Sequence, residues 1–241
     1  MNPAVLQLRG VHTHIGAYHI LHGMDLDVPK GQLTLLLGRN GAGKTTTLRT
    51  VMGLWRASQG SVNFHGQAIH QMTTPDIARL GIAYVPENMG IFSDLTVKEN
   101  MLLAARSAAQ ARQMDDGRLQ WIFKLFPAVD KFWNHPAGKL SGGQKQMLAV
   151  ARAIVEPRDL LIVDEPSKGL APAIINNMID AFSELKHSGT TILLVEQNFN
   201  FAKRLGDSVA VMDNGRVVHA GTMSDLAADH GLQQQLLGLA L

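Results

Sequence analysis

Gly38-Arg39-Asn40-Gly41-Ala42-Gly43-Lys44-Thr45 follows the apolar run Leu33-Thr34-Leu35-Leu36-Leu37. A glycine-rich loop therefore leaves a buried strand and opens a helix, the context in which this spacing reads as a phosphate-binding P-loop. The glycines let the backbone bend around a phosphate chain with its N–H groups aimed inward. The positive end of the following helix favours the anion. In this reading the loop and Thr46 behind it hold the phosphates, Lys44 reaches the β- and γ-phosphates, and the Thr45 hydroxyl holds Mg²⁺.

Around this loop lie 241 residues, 46% of them apolar, with no Pro/Ser-rich linker or low-complexity tract. That is enough to bury a sizeable core, and we expect one domain over residues 1–241. Lysine and arginine number 22 against 20 acidic residues, and no basic stripe is present, so nucleic acid is not expected as a partner. Cysteine is absent, which excludes disulfides and thiolate metal sites and suits a reducing compartment. The opening Met-Asn-Pro-Ala-Val-Leu-Gln lacks the basic and then apolar segments of a secretory signal. The apolar runs are strand-sized and too short to span a bilayer, so any membrane role must come through partner chains.

The pattern along the chain predicts an α/β fold: a small antiparallel sheet from residues 5–15 and 24–28, leading into a doubly wound parallel core. Further strands are expected at 61–64, 82–85, 160–163 and 191–195, with helices over 75–80, 142–154 and 173–186. From 96 to about 131 the periodicity turns helical, with Val97, Met101, Leu102 and Ala105 on one face and Leu119, Ile122, Phe123 and Phe126 on another. This insert reads as a helical subdomain over about 88–155. Residues 209–212 and 216–219, joined by Asn214-Gly215, predict a closing hairpin.

Leu160-Leu161-Ile162-Val163-Asp164-Glu165 is an apolar strand ending in two carboxylates. A buried strand of this kind delivers acids to a metal–phosphate site: Asp164 supports Mg²⁺, and Glu165 polarises the water that attacks the γ-phosphate. Leu140-Ser141-Gly142-Gly143-Gln144 opens a helix whose apolar face carries Met147, Val150, Ala151 and Ile154. Its serine hydroxyl and exposed glycine N–H groups form a second anion site. His12, His14, His19 and His22 read as surface histidines rather than a metal cluster, because no Cys or carboxylate partner stands near them. Met101, Trp121, Phe123 and Trp133 read as helical core.

Taken together, the P-loop, the acid-ended strand and Leu-Ser-Gly-Gly-Gln resemble the ATP-binding cassette (ABC) family, over about residues 6–221. The resemblance implies a P-loop NTPase of the ABC ATPase type that binds and hydrolyses ATP with Mg²⁺. It implies a head-to-tail pair of cassettes, the second being a copy of this chain or a related ATPase, in which Lys44 of one and Ser141 of the other flank the same ATP. Tyr18 lies where such cassettes place an aromatic residue that stacks on adenine. Two positions depart from the common pattern. Tyr84-Val85-Pro86-Glu87-Asn88 puts Glu87 where many cassettes carry a glutamine, and a carboxylate remains a good Mg²⁺ ligand. Leu194-Val195-Glu196-Gln197-Asn198 supplies Gln197 in place of a switch histidine, so a group that donates a hydrogen bond but cannot become cationic stands there.

Glu87, Gln197 and Asp164-Glu165-Pro166-Ser167-Lys168-Gly169-Leu170-Ala171-Pro172 look like the LivF-type ATPases of branched-chain amino acid importers, Ala171 included, where an aspartate is usual. That likeness implies transmembrane permease subunits whose short cytoplasmic helix enters a groove near residues 87–96. It further implies a periplasmic binding protein acting indirectly, and a place on the cytoplasmic face of the bacterial inner membrane. The alternatives are the ATPase of a urea or amide importer, that of a lipopolysaccharide exporter, which keeps Gln and His at the two departing positions, and a soluble non-transport cassette.

Overall fold

Ala4–Ile15 (β1) and Tyr18–Pro29 (β2) bury every second side chain over much of their length and pair antiparallel, with Leu8 opposite Leu26 and Ile15 opposite Tyr18. Such alternation is what a strand with one solvated face requires. The computed structural model describes residues 3–105 and 114–238. Beyond β1 lie Ala57–Phe64 (β4) and the short Gln67–Ala68 (β5), completing an antiparallel sheet in the order β2-β1-β4-β5. The expected strand at 24–28 is longer by six residues at its start, because cross-strand pairing with β1 carries β2 back to Tyr18 at the hairpin.

Leu33–Gly38 (β3) is buried at every position. It lies inside the second sheet, ordered β10-β9-β3-β8-β7-β6, with Ile82–Val85 (β6), Leu160–Asp164 (β7), Thr191–Glu196 (β8), Ser208–Asp213 (β9) and Arg216–Thr222 (β10). Strands β9, β3, β8, β7 and β6 run parallel, and β10 closes the edge antiparallel. Continuous apolar runs suit such strands because both faces are covered. Leu33, Leu35 and Leu37 join one core, while Leu36 joins another with Leu6, Leu21, Leu48 and Val195 beneath the antiparallel sheet.

The helices follow from caps and stripes. Lys44–Val51 (α1) starts at the P-loop, and Thr74–Arg79 (α2) precedes β6. Thr96 and Glu99 form a reciprocal capping box that starts Val97–Ala104 (α3), where Val97, Met101 and Ala105 are buried and Leu102 is half-buried. Asp116–Leu125 (α4) and Pro127–Lys131 (α5) follow; Ile122 and Phe126 are buried, with Leu119 and Phe123 packed at their margin. Trp121 and Trp133 pack against the same core, Trp133 edge-on to Phe123 with ring centres 5.1 Å apart. The stretch 106–113 of the expected helical insert lies outside the described residues. Gly142–Ala153 (α6) and Pro172–His187 (α7) cover the parallel sheet through residues such as Leu148, Met178 and Phe182. Phe199–Ala202 (α8), Met223–Ala228 (α9) and His230–Leu237 (α10) complete the described elements.

The turn between β9 and β10 has positive φ at both central residues, 44° at Asn214 and 73° at Gly215, as a hairpin turn matched to strand twist demands. A Cβ on Gly215 would lie 2.0 Å from the carbonyl oxygen of Ile20. That closeness lets Gly215 accept from the N–H of His22 (3.0 Å) and donate to the Ala42 carbonyl (2.9 Å), tying the P-loop to β2. Across β1 and β2 the four histidines cluster, His14 stacked on His19 at 4.1 Å and His22 tilted against His19 at 4.0 Å between ring centres. Desolvation first, then the neighbouring His19, Arg216, His12 and His14, lower the His22 pKa.

Candidate functional site

Strand register brings the chemistry to one edge. Pairing sets Leu37 beside Glu196 and Val195 beside Asp164, so β3, β8 and β7 end together, with β6 ending next to β7. The crevice outside the carboxyl ends of parallel strands is where α/β sheets take ligands.

At the end of β3 the chain turns tightly. A Cβ on Gly38 would lie 2.4 Å from the Met212 carbonyl oxygen, and Gly41 and Gly43 hold φ of 83° and 103°. Only glycine adopts this series without strain. The Lys44 side chain, 4% exposed, donates from Nζ to the carbonyls of Gly38 (2.9 Å) and Arg39 (3.1 Å) and lies 3.6 Å from Glu165 Oε1. Burial lowers its pKa, and the carboxylates of Glu165, Asp164 and Glu196 oppose that shift.

Thr45 Oγ1 donates to Asp164 Oδ1 at 3.3 Å, while Asp164 Oδ2 is buried with no hydrogen-bond partner. Burial, with a smaller push from Glu165 and Glu87, raises the Asp164 carboxyl to about 6 against the hydrogen bond from Thr45. The next residue, Glu165, has φ of 48°, a left-handed conformation unusual for a side-chain-bearing residue and characteristic of functional sites. Its N–H bonds the Val195 carbonyl at 2.9 Å, and its Oε1 accepts a short hydrogen bond from Gln197 Nε2.

Two adjoining cavities result. One, of about 290 Å³, is lined by Gly43, Lys44, Thr45, Thr46, Glu87 and Glu165. The other, of about 600 Å³, runs along Gly38, Arg39 and Ala42 to Gln197; Asn40 and Gly41 line both. The P-loop residues, Thr46, Glu87, Glu165 and Gln197 thus meet around one cleft, with Asp164 bonded to Thr45 beneath it.

Two expectations meet a different arrangement. Glu87, read as a metal ligand, is engaged by Lys168 Nζ at 2.5 Å. Gly143 does not present an exposed N–H edge: it is buried, because a Cβ there would stand 2.7 Å from Ile174 Cγ2, and its lack of a side chain lets α6 pack on α7. Leu140, Ser141, Gly142, Gly143, Gln144 and Tyr18 line neither cavity, an arrangement compatible with the expectation that residues 140–144 serve the nucleotide of a second cassette. Ser141 instead caps α6 in a reciprocal box with Gln144 and stays open to solvent with Gly142, while Tyr18 is 76% exposed.

Glu196 was missed in the sequence. It is buried at the end of β8 and accepts from the N–H groups of Ser167 (2.9 Å), Gln197 (3.1 Å) and Asn198 (3.1 Å). Burial raises its pKa and these bonds oppose the rise. It fastens the segment after Glu165 to the one bearing Gln197. The signal was an acid closing the apolar run Leu193-Leu194-Val195.

The fold and this cleft define a P-loop ATPase cassette of the α/β class. Residues 21–168 match the ABC transporter family, and the chain belongs to it. It is 37% identical over 236 residues to the high-affinity branched-chain amino acid transport ATP-binding protein BraG of Pseudomonas aeruginosa, covering 97% of this chain and 100% of that protein. It is 35% identical to the probable branched-chain amino acid transport ATP-binding protein LivF of Archaeoglobus fulgidus, over 96% of this chain and 99% of that one. Among solved structures, an ATP-binding subunit of an ABC transporter superposes with a TM-score of 0.80 at 28% identity, covering 97% of this chain and 96% of the other. A nucleotide-free ATP-binding cassette superposes with a TM-score of 0.81 at 23% identity, over 99% and 100%, and so shares the fold.

Proposed function

We propose that this chain is the ATP-hydrolysing subunit of an importer that takes up branched-chain amino acids, held on the cytoplasmic face of the membrane by permease subunits. The observation that carries the enzymatic half is the Glu165 carboxylate, fixed by Gln197 and 3.6 Å from Lys44 in a cleft floored by the P-loop. The transport half rests on the names of the relatives above. No helix among the described residues is long and apolar enough to cross a membrane, so translocation falls to partner chains.

In this reading Lys44 and the loop N–H groups hold the triphosphate, and Tyr18 offers its exposed ring to the adenine. Glu165 takes a proton from the water whose oxygen bonds to the γ-phosphorus as the β–γ bridging bond breaks, leaving ADP and phosphate. Gln197 keeps the carboxylate aimed. Two cassettes stand head to tail, so that Leu140 to Gln144 of the second chain, Ser141 foremost, complete the site from across the interface. ATP then binds the closed pair more tightly than the open one, and hydrolysis removes that difference.

Thr45 and Asp164, joined by Glu87, would hold Mg²⁺. The buried, unpartnered Asp164 Oδ2 and the adjacent Thr45 hydroxyl are hard oxygen donors of the kind this ion takes. When bound there, the ion neutralises charge on the β- and γ-phosphates. A pH dependence follows. Folding raises the Asp164 pKa from 3.8 to about 6, so the folded chain binds that proton more tightly than the unfolded chain. Its contribution to stability is therefore greatest below pH 3.8 and is lost as pH rises through 6. Asp164→Asn is expected to melt higher than the unmutated chain at pH 7.5 without metal, and to lose the gain in nucleotide affinity that Mg²⁺ confers. Mg²⁺ titrations at pH 5 and 7.5 should give an affinity about tenfold weaker at the lower pH, where Asp164 is protonated. Equal affinities at the two values would remove Asp164 from the metal site.

In this reading the permease contacts a separate cleft of about 740 Å³ lined by Leu54, Trp55, Met89, Gly90 and Arg152, with Leu54 50% exposed at its rim. Arg152 donates to the Gly90 carbonyl at 2.5 Å and lies over the Phe92 ring, shaping the wall. Purified from detergent extracts, the chain is expected to bring permease subunits with it. Leu54→Arg should release them while the melting temperature stays within about 2 °C, as for a surface substitution. Purification without any membrane chain would favour a soluble cassette.

A further inference from the structure

Glu87, Asp164 and Glu165 place three carboxylates around the phosphate side of the cleft, and two ammonium groups face them. Lys44 is buried and tied to two carbonyls of the loop it belongs to. Lys168 is different. Its N–H bonds the Glu165 carbonyl at 3.2 Å, and Gly169 follows with φ of 70°. This turn brings Lys168 Nζ to 2.5 Å from Glu87 Oε1 and 3.6 Å from Glu165 Oε2, on the wall of the cavity that Lys44 and Thr45 line. The side chain is 59% exposed, so water screens the pair and it parts at small cost. Lys168 Nζ donates to Glu87, and a lysine ammonium is cationic at neutral pH.

We propose that Lys168 is a positioning residue that stands in for the metal's charge at Glu87: it cancels this carboxylate while the cleft is metal-free and yields it when a metal–nucleotide arrives. The physical need is plain. A carboxylate in place of an amide adds a negative charge beside a triphosphate, and without a nearby cation that charge would repel the ligand before any metal could bridge them. A buried lysine would part from its partner only at high cost, and one farther off than a Debye length would be screened. Lys168 is close enough to compensate and exposed enough to leave. The inference rests on the ATPase reading and adds to it how the cleft balances Glu87.

The test is calorimetric titration of ATP, with EDTA and then with Mg²⁺, into the full chain. Lys168→Met is expected to weaken metal-free ATP binding about fivefold, the upper end for a part-exposed pair, and Mg²⁺–ATP binding by less than about twofold. The metal-free loss should shrink in 0.5 M salt, Lys168→Arg should show none of it, and Glu87→Gln placed in the Lys168→Met chain should restore metal-free affinity. Equal losses with and without Mg²⁺, or no rescue by Glu87→Gln, would mean that Lys168 only shapes its loop, and the proposal would be wrong. Lys44→Ala separates the two levels. If it binds ATP as the unmutated chain does, the ATPase reading itself falls; if it fails to bind while Lys168→Met is indistinguishable from the unmutated chain in both titrations, only the role of Lys168 falls.

Discussion

Glu165→Gln is expected to bind ATP and to lose nearly all turnover, a fall of about 10²–10⁴-fold from removing a positioned general base. The amide keeps the shape of the carboxylate, so the left-handed backbone at Glu165 and its bond to the Val195 carbonyl are retained. What disappears is the oxygen pair able to take a proton from water. The substitution also removes a negative charge 3.6 Å from Lys44, which should leave nucleotide binding equal or tighter. Because closure outlasts the missing hydrolysis, an ATP-bound dimer should accumulate on gel filtration. Single-turnover assays with the permease present check the rate. Turnover at the unmutated rate would take the base role from Glu165, and a parallel Gln197→Ala series would then show whether the aiming contact matters without it.

The composite site makes the other large prediction. Ser141 is the solvent-exposed N-cap of α6 and lies outside both cavities of its own chain, so in the proposed head-to-tail pair its nucleotide is the one held by the other cassette. In a forced dimer of one Lys44→Ala chain and one Ser141→Arg chain, the first chain's P-loop faces residues 140–144 of the second. Both defects fall on one site, and the other stays intact. Arginine at the N-cap blocks docking by bulk and puts positive charge at the positive end of the helix. Losing the serine cap costs about 1 kcal/mol, which the folded chain tolerates. The mixed dimer should keep measurable hydrolysis at one site while each single-mutant homodimer has none. Should the natural partner be a related but distinct ATPase, the same two substitutions are divided between the two chains. A silent mixed dimer beside an active homodimer would sink the shared-site arrangement.

Much of the cleft was legible because its signals are local. Glycine spacing after an apolar strand dictates a tight loop whatever the rest of the chain does, and Gly38, Gly41 and Gly43 indeed hold backbone angles or approaches closed to other residues. An apolar strand ending in Asp164-Glu165 delivers acids to a sheet edge by the same local logic, and Asn214-Gly215 calls for a hairpin turn through its φ values alone. Strand β6 could be read to the residue, since four apolar positions between Gly81 and Pro86 leave little room for another element.

Tertiary structure alone decided which side chains spend their charge on one another. Nothing in the spacing of Glu87 and Lys168 announces an ion pair across 81 positions, because it depends on β6 and β7 being neighbours and on a turn at Gly169. The bridge that Glu196 makes to Ser167, and the buried place of Gly143 against Ile174, arise in the same way from elements packed together by long-range burial. The order of the six strands belongs to this class, since pairing of distant segments follows from how two apolar cores are covered at once. The sequence by itself determined the kind of loop, the kind of strand and the acids they carry, for these depend on residues adjacent in the chain. Their distances, pKa shifts and partners depend on residues that only folding brings together.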